Sequence, residues 1–303
     1  MWGSVPDFSM LLSGQLLASV LLLASLYALV ALGLNLVYGT MRLLNVAHGE
    51  LVMLGGYVAY WGFARLGISP LFSALLAMLA AAALGALMYQ AVIRRLFRST
   101  RVLARVEANS LLVFFGISVV IQNLTALAFT ANQRGYAYLD NVLTVGELRI
   151  EANRVVAFAV AAVVCLACAL FFRFARTGLA MRAVMQQREA AALVGIDIDR
   201  VNLQVFALGF ALAALAGALV SMMQQISPFM GFPFTVSAFV VIILGGLGNL
   251  MGSIIGALLL AAVEVYGIAL ISPSYRSILV YGVFVAVLLL RPQGLLGRPI
   301  SAR

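Results

Sequence analysis

The sequence has 303 residues, of which 64% are hydrophobic and only 10% are charged. A single soluble core cannot bury that fraction of apolar side chains, so the composition excludes a water-soluble domain and predicts an integral membrane protein. The net charge of +9 comes from arginines without a single lysine, and this excludes a P-loop within the chain, because GxxxxGK[ST] needs its lysine at the nucleotide phosphates.

Apolar runs near 20 residues can cross the roughly 30 Å hydrocarbon layer as helices. The first run is long enough to be tilted or broken and the seventh is short, so we expect eight or nine crossings. No low-complexity linker or soluble domain interrupts them, and residues 1–303 are predicted to form one all-α domain, a polytopic transmembrane helical bundle. The runs are 10–38, 49–66, 70–93, 107–129, 154–173, 203–226, 231–247, 251–270 and 276–290.

The arginines concentrate in residues 94–105, 173–200 and 291–303. By the positive-inside rule these segments and the C-terminus face the cytoplasm, whereas 130–153, where acids balance the arginines, faces outward. The segment 245–249 must then turn the chain back, because one continuous helix would carry the tail outside. Arginines in short connectors indicate orientation, so we expect no nucleic-acid partner.

Residues 173–204 form the longest polar connector and are predicted to be a cytoplasmic coupling segment. Arg182, Gln186 and Glu189 follow at i, i+4 and i+7, which predicts one polar face of a short helix. Glu189 either docks a partner or pairs with Arg182. Gly195 is the expected left-handed end of this helix, and Asp197 or Asp199 is the expected cap of the next one.

Asn45, His48 and Glu50 cluster where the chain re-enters the membrane. They either cap a helix at the cytoplasmic boundary, with His48 and Glu50 bonded to each other, or belong to the translocation path or gate. A single histidine without further ligands at suitable spacing predicts no metal site. Gln122 and Asn123 present the same choice between bonding a neighbouring helix and lining a solute path.

Glycines and small residues mark close packing or hinges. Gly245, Gly246 and Gly248 are predicted either to pack closely or to belong to the translocation path or gate, as a hinge or as exposed backbone groups near a solute. Glu264 could pair with an arginine at a helix end. Two stretches, Tyr38–Tyr57 and Leu244–Gly256, are predicted to be unwound or closely packed, which suits transporters built from repeats with broken helices.

Several motifs resemble the permease subunits of branched-chain amino-acid ABC importers, the LivH type. They are Gly33-Leu34-Asn35-Leu36-Val37-Tyr38-Gly39, Leu44-Asn45-Val46-Ala47-His48-Gly49-Glu50, Arg176-Thr177-Gly178, Glu189-Ala190-Ala191 with Gly195, Leu244-Gly245-Gly246-Leu247-Gly248 and Arg291-Pro292-Gln293-Gly294. The resemblance implies a second permease subunit, two cytoplasmic ATPase subunits that hold ATP and Mg, a periplasmic solute-binding protein and a bacterial inner-membrane location. It also implies ATPase coupling through Arg176, Gly178, Arg182, Glu189, Ala190, Ala191 and Gly195.

These observations predict a transport subunit that is not an enzyme, binds no cofactor itself and passes a branched-chain or similar amino acid inward. Relatives that carry urea or short amides are the nearest alternative. A secondary transporter or channel would place paired ionisable groups at mid-depth, and the sequence has few of them. A membrane-embedded enzyme would need a nucleophile or metal constellation that His48 alone does not supply.

Overall fold

The structure, a computed structural model, describes residues 13–99, 103–146, 148–291 and 293–296, and it is mostly helical. In chain order its elements are α1 (Gly14–Met41), α2 (His48–Leu66), α3 (Pro70–Met88) with a π-helical turn (Tyr89–Ile93) leading into α4 (Arg94–Ser99), α5 (Leu103–Phe129), β1 (Val142–Val145), β2 (Leu148–Glu151), α6 (Ala152–Phe174), α7 (Arg176–Gln186), α8 (Arg188–Leu193), α9 (Ile198–Ser221), α10 (Gly231–Gly245), α11 (Leu250–Leu270), a 3-10 turn (Pro273–Tyr275) and α12 (Arg276–Leu290).

Each apolar run of the sequence coincides with a helix, which confirms the helical bundle. Within the described residues, seven helices are long and apolar enough to cross a membrane. Two runs give helices outside that set: α10 has only 15 residues, and α2 carries His48, Glu50 and Arg65. The number of crossings, eight or nine, therefore stays a prediction.

The core forms around α1 and α9. Within their most apolar stretches 61% of α1 and 78% of α9 are buried. The two helices meet at Gly33 and Gly209, where a Cβ on Gly33 would lie 2.7 Å from the Gly209 carbonyl oxygen. Gly217 meets the backbone of Val52 on α2 in the same way. Such small-residue contacts let helices approach closely, and in lipid this packing replaces the hydrophobic drive.

The outer helices α5 and α12 are packed far less. Only 17% of the apolar stretch of α5 and 6% of that of α12 are buried. Their outward surfaces carry large apolar side chains such as Leu112, Leu127 and Leu290. These two helices leave broad apolar faces at the surface of the chain.

One end of the bundle carries the hairpin β1–β2, and we call it the hairpin end. The strands pair antiparallel with Leu143 opposite Ile150, and Gly146 turns between them with a φ of 63°. Gln15 at the start of α1 bonds β2 through Arg149 in both directions, at 2.8 and 3.1 Å. The strict all-α prediction missed this hairpin, because four-residue strands inside a polar connector give too short a signal for a reliable period.

The opposite end collects Arg42, α4, α7, α8 and the loop after α10, and we call it the arginine-rich end. The chain turns back at this loop, as predicted. The Leu295 N–H donates to the Leu244 carbonyl at 2.8 Å, and Asn249 donates to the Leu296 carbonyl at 3.1 Å. Residues 293–296 therefore lie at the same end as the polar connector.

Candidate functional site

Helix α2 begins inside the bundle rather than at its surface. After α1 ends, residues 42–47 return without helical structure, and His48 starts α2. The His48 Nε2 lies 3.1 Å from the carbonyl oxygen of Val30, close to the middle of α1. The predicted interruption within Tyr38–Tyr57 is thus confirmed, and it carries the start of α2 well into the interior.

Helix α10 begins at the same point and runs the other way. The Gly49 N–H donates to Thr235 Oγ1 at 2.8 Å, and the Thr235 hydroxyl donates to the Val46 carbonyl at 3.0 Å. A Cβ added to Gly49 would collide with the Gly231 carbonyl oxygen, so the first turns touch. Two shorter helices therefore meet at their N-termini, with α2 leading to the hairpin end and α10 to the arginine-rich end.

Glu50 sits at this junction and is fully buried. Its Oε1 accepts a hydrogen bond from Ser118 of α5 at 2.9 Å. Its Oε2 faces the first residue of α10, since a Cβ on Gly231 would lie 2.5 Å from it. Both helix N-termini present their positive dipole ends to the carboxyl group, which lowers the cost of an ionisable group at this depth. Glu50 thereby links α2, α5 and α10.

Asn45 and His48 are also fully buried, and the expectation of a boundary cap is wrong. His48 bonds Val30 and not Glu50, because the returning segment carries both residues past the end of α1. Among the described residues, both polar atoms of the Asn45 side chain lack a protein hydrogen-bond partner. An unpaired buried polar group costs about 1–3 kcal/mol, so this junction is less stable than ordinary packing would make it.

The glycines after α10 form a tight loop. Gly246 and Gly248 have φ values of 100° and 79°, which side chains other than glycine rarely adopt. Gly245 packs on Gly252 of α11, where a Cβ would collide with the Gly252 carbonyl oxygen. The sequence left packing and hinge open for these glycines, and the structure assigns Gly245 to close packing.

Asn35 holds this loop against α1 and was missed as a candidate. It is fully buried, and its Nδ2 donates to the Asn249 carbonyl at 2.9 Å and to Ser253 Oγ at 2.7 Å. Its Oδ1 accepts from the Gly248 N–H at 2.7 Å. In the sequence Asn35 appears only as part of the motif Gly33-Leu34-Asn35-Leu36-Val37-Tyr38-Gly39 within an apolar run, without a separate predicted role.

The predicted single polar helix in the connector is wrong. Gln187 is extended, with φ −156° and ψ 102°, and separates α7 from α8. Arg182 and Gln186 line an open cleft beside α6, whereas Glu189 lies in the separate helix α8. The break brings the Arg188 guanidinium to 5.2 Å from the Phe97 ring. This packing therefore overrides the helix preference of Gln186 and Gln187.

Helix α7 is braced against the end of α6. Gly178 is buried, and a Cβ there would collide with the Phe171 carbonyl oxygen. Arg182 donates to the Phe172 carbonyl at 3.5 Å. The ion pairs found among the described residues do not include Glu189, so pairing with Arg182 finds no support.

Helix α8 and the start of α9 are tied to α3 and α4. Asp199 pairs with Arg94 at 2.9 Å and accepts from the Tyr89 hydroxyl at 2.6 Å. Burial lowers the pKa of the Arg188 guanidinium from its usual value, partly offset by the nearby Asp199 carboxylate. Asp197 caps α9, which decides between the two predicted caps.

The remaining connector residues give α8 an exposed tip. Gly195 adopts the predicted left-handed conformation with a φ of 85°. Arg176 and Glu189 are exposed, Ala190 is half-buried and Ala191 is buried. Next to them Leu193 is 89% exposed and Val194 is 76% exposed. These two large apolar side chains form an exposed apolar tip within a charged connector.

The polar residues predicted on α5 and α11 differ in their surroundings. Gln122 is half-buried and Asn123 is exposed on α5, where its Nδ2 donates to the Val119 carbonyl of the same helix at 2.8 Å. Glu264 is buried and pairs with Arg276 at 2.5 Å, as predicted for an arginine at a helix end. The Tyr27 hydroxyl donates to the same carboxylate at 2.6 Å.

Long apolar helices around a junction of two interrupted ones define a polytopic membrane protein of the transporter type. The family model described as "Branched-chain amino acid transport system / permease component" matches residues 16–288, and the chain belongs to this family.

Comparisons with individual proteins agree with that assignment. The chain is 32% identical to the permease protein LivH of Salmonella typhimurium, over 91% of this chain and 93% of LivH. It is 32% identical to BraD of Pseudomonas aeruginosa, over 94% of this chain and 96% of BraD. It is 28% identical to LivM of Escherichia coli, over 90% of this chain and 68% of LivM.

A solved structure, PsaBC from Streptococcus pneumoniae in complex with Fab, has a similar fold. Its TM-score is 0.50 at 11% identity, over 94% of this chain and 95% of that chain. At this identity the likeness concerns the fold alone.

Proposed function

We propose that this chain is the membrane-spanning permease subunit of an ATP-binding-cassette importer that moves branched-chain or related hydrophobic amino acids into the cytoplasm. The solute class rests on the relatives LivH and BraD, both described as high-affinity branched-chain amino acid transport system permease proteins. The match covers more than nine tenths of each relative.

We propose that the arginine-rich end faces the cytoplasm and the hairpin end the periplasm. Because the tail bonds the loop after α10 at the arginine-rich end, the C-terminus is then cytoplasmic. We propose nine crossings, with each interrupted helix counted together with the segment that leads into it. The start of α1 then lies on the periplasmic side, next to β2.

The exposed tip of α8 carries the coupling proposal. Leu193 and Val194 are exposed beside Glu189, while α7 and α8 are braced by Gly178, Arg188 and their contacts. A surface that is apolar at its tip and rigid at its base suits a docked ATPase subunit, because force applied to it is not lost in loop motion. ATP and Mg would be held by two such partner subunits.

Substitutions that change the charge of this surface test the proposal. We expect Glu189→Arg and Leu193→Glu each to lower the amount of ATPase subunit recovered with the purified complex, and solute uptake with it. Asp140→Arg is the matched control for ATPase recovery, since Asp140 is an exposed acid at the hairpin end, away from α8. Wild-type ATPase recovery and uptake in both α8 variants would refute docking at this tip.

A second permease subunit is proposed to cover the outward face of α5. Escherichia coli has two permease proteins, LivH and LivM, named for one transport system, and this chain is similar to both. Gln122 and Asn123 lie on a helix that is mostly unburied in the single chain. Polar amides facing lipid are unfavourable, so a partner helix or a water-lined solute path along α5 explains them better.

We propose that the buried junction forms the gate behind this path. Asn45, His48 and Glu50 lie behind α5, and the Ser118 bond couples α5 to them. Gly245, Gly246 and Gly248 form the turn that moves with α10. A periplasmic binding protein would deliver the solute at the hairpin end. Driving a two-state element from 1:99 to 99:1 requires about 5.5 kcal/mol of differential binding, which docked ATPase subunits can supply.

Reconstitution tests the proposed function as a whole. We expect uptake of branched-chain amino acids into proteoliposomes only when the second permease, the ATPase subunits, the binding protein and ATP are all present. Uptake by this chain alone would refute the subunit role and favour a stand-alone transporter. Uptake of urea or a short amide in place of leucine by the full assembly would refute the solute class only.

A further inference from the structure

The arginine-rich end contains an open cleft that none of the contacts above explains. It has a volume of about 890 Å³ and lies between α6, α11 and the second half of α1. Leu32 of α1 forms its buried floor, and Arg173 and Cys165 line it from α6. These two residues are eight positions apart, so the cleft follows α6 for about 12 Å into the bundle.

The walls of the cleft are those of a lipid-facing groove. Leu166 and Leu170 of α6 are 60% and 48% exposed, and Met251 of α11 is 62% exposed. Large apolar side chains that are exposed along membrane-crossing helices contact hydrocarbon. The deep part of the cleft therefore suits an acyl chain.

The rim of the cleft is strongly basic. Arg42, Arg173 and Arg182 line it, and its lining residues include no carboxylate. The ion pairs found in the described ranges use other arginines, so these three guanidinium groups are not neutralised by an acid there. Arg182 donates to the Phe172 carbonyl, and Arg42 lies 6.0 Å from the Tyr38 ring. Both contacts leave donors for a further ligand.

We propose that this cleft binds an anionic phospholipid, with the headgroup phosphate at the three arginines and an acyl chain along α6 and α11. Basic pockets between transmembrane helices at the cytoplasmic side recognise anionic headgroups in this way, and guanidinium groups bind phosphate through paired hydrogen bonds. A free amino acid fits less well, because its ammonium group would find no carboxylate among the lining residues.

The bound lipid would join three elements of the transport machinery. Arg42 follows α1, Arg173 lies in the last turn of α6 and Arg182 lies in α7. One phosphate held by all three fixes α7 against the bundle. If α7 belongs to the coupling segment proposed above, the anionic lipid content of the membrane regulates how stiffly that segment responds.

The test compares two double variants of the assembled transporter in detergent by native mass spectrometry, titrated with phosphatidylglycerol or phosphatidylcholine. Arg42→Gln/Arg173→Gln removes two rim charges. Arg95→Gln/Arg200→Gln removes two exposed charges from the same end outside the cleft, and serves as the control. Each arginine near an anionic headgroup contributes roughly fivefold in affinity, so we expect about a 25-fold loss of phosphatidylglycerol binding in the rim variant only.

Equal binding of the two lipids, or an equal loss in both double variants, would overturn the proposal. Displacement of the lipid by inorganic phosphate at constant ionic strength would reduce the site to an anion site without an acyl chain. A photoreactive phosphatidylglycerol applied to the wild-type complex gives a readout that does not depend on the variants folding. Crosslinks to 161–173 or 250–258 support the site, and crosslinks elsewhere, or a partner subunit's peptide found in the cleft, overturn it. Lipid binding by mass spectrometry and photocrosslinking do not depend on solute uptake, so a failure of this proposal can be distinguished from a failure of the proposed transport function.

Discussion

Replacing Asn35 with leucine should loosen the glycine loop from α1. The substitution keeps the side-chain size but removes all three hydrogen bonds to Gly248, Asn249 and Ser253. Hydrogen bonds inside membrane proteins average about 0.6 kcal/mol each, so the bonds alone contribute about 2 kcal/mol. The half-buried Gly248 N–H is left without its acceptor, which adds about 1 kcal/mol. We therefore expect a loss of about 3 kcal/mol, or roughly a 100-fold change in the unfolding equilibrium.

Unfolding of the purified chain in mixed micelles with increasing SDS, followed by far-UV circular dichroism, measures this loss. Asn123→Leu is the matched control, because Asn123 is exposed and bonds only a carbonyl of its own helix. Its expected change is below about 0.6 kcal/mol. If Asn35→Leu unfolds within that same margin of the wild type, the loop is not held by Asn35 and the reasoning fails.

Two further predictions concern the buried carboxyl groups of Glu50 and Glu264 and use the same unfolding measurement. Gly231→Ala places a Cβ 2.5 Å from Glu50 Oε2 and should lower the free energy of unfolding by about 1–3 kcal/mol. Gly116→Ala is the control and should be nearly neutral, because Gly116 has open space around it. Equal effects of the two substitutions would contradict the tight junction. Arg276→Gln leaves the buried Glu264 carboxylate without its cation and should cost about 3–5 kcal/mol. Adding Glu264→Gln should recover much of that loss, and a double variant as unstable as Arg276→Gln would show that the pairing is not the cause.

The helices themselves were predictable because the bilayer imposes a length. A segment that crosses hydrocarbon must form its backbone hydrogen bonds internally, as a helix of about 20 residues. Apolar runs of this length are visible in the sequence. The return of the chain at 245–249 followed from charge alone, since the arginines of the tail and of 173–200 had to share one side. Local chemistry also predicted the left-handed Gly195, and it narrowed the cap of α9 to Asp197 or Asp199, of which the structure uses Asp197.

The depth at which a helix begins was not predictable. His48 and Glu50 precede an apolar run, and polar residues in that position are equally consistent with a membrane boundary and with a buried junction. Only the contacts with Val30 and Gly231 distinguish the two. The break at Gln187 was missed for a related reason. Glutamine continues a helix readily, and the contact that stabilises the break, between Arg188 and Phe97, joins residues distant in sequence.

Contacts that leave little room for adjustment connect the polar connector with the buried junction. A Cβ on Gly39 would lie 2.5 Å from Met185 of α7 and 3.2 Å from the Cα of Gly248. The Gly248 N–H is held by Asn35, and α10 runs from this loop back to Gly231 beside Glu50. Gly39 packs on Gly248 backbone to backbone and cannot yield there by changing rotamers, so a displacement of α7 that reaches Gly39 through the Met185 side chain must either move the loop and α10 together or break these contacts. The α10 helix is short, starts at a carboxyl group shared with α2 and α5, and is therefore the element best placed to turn such a displacement into an opening at the middle of the bundle.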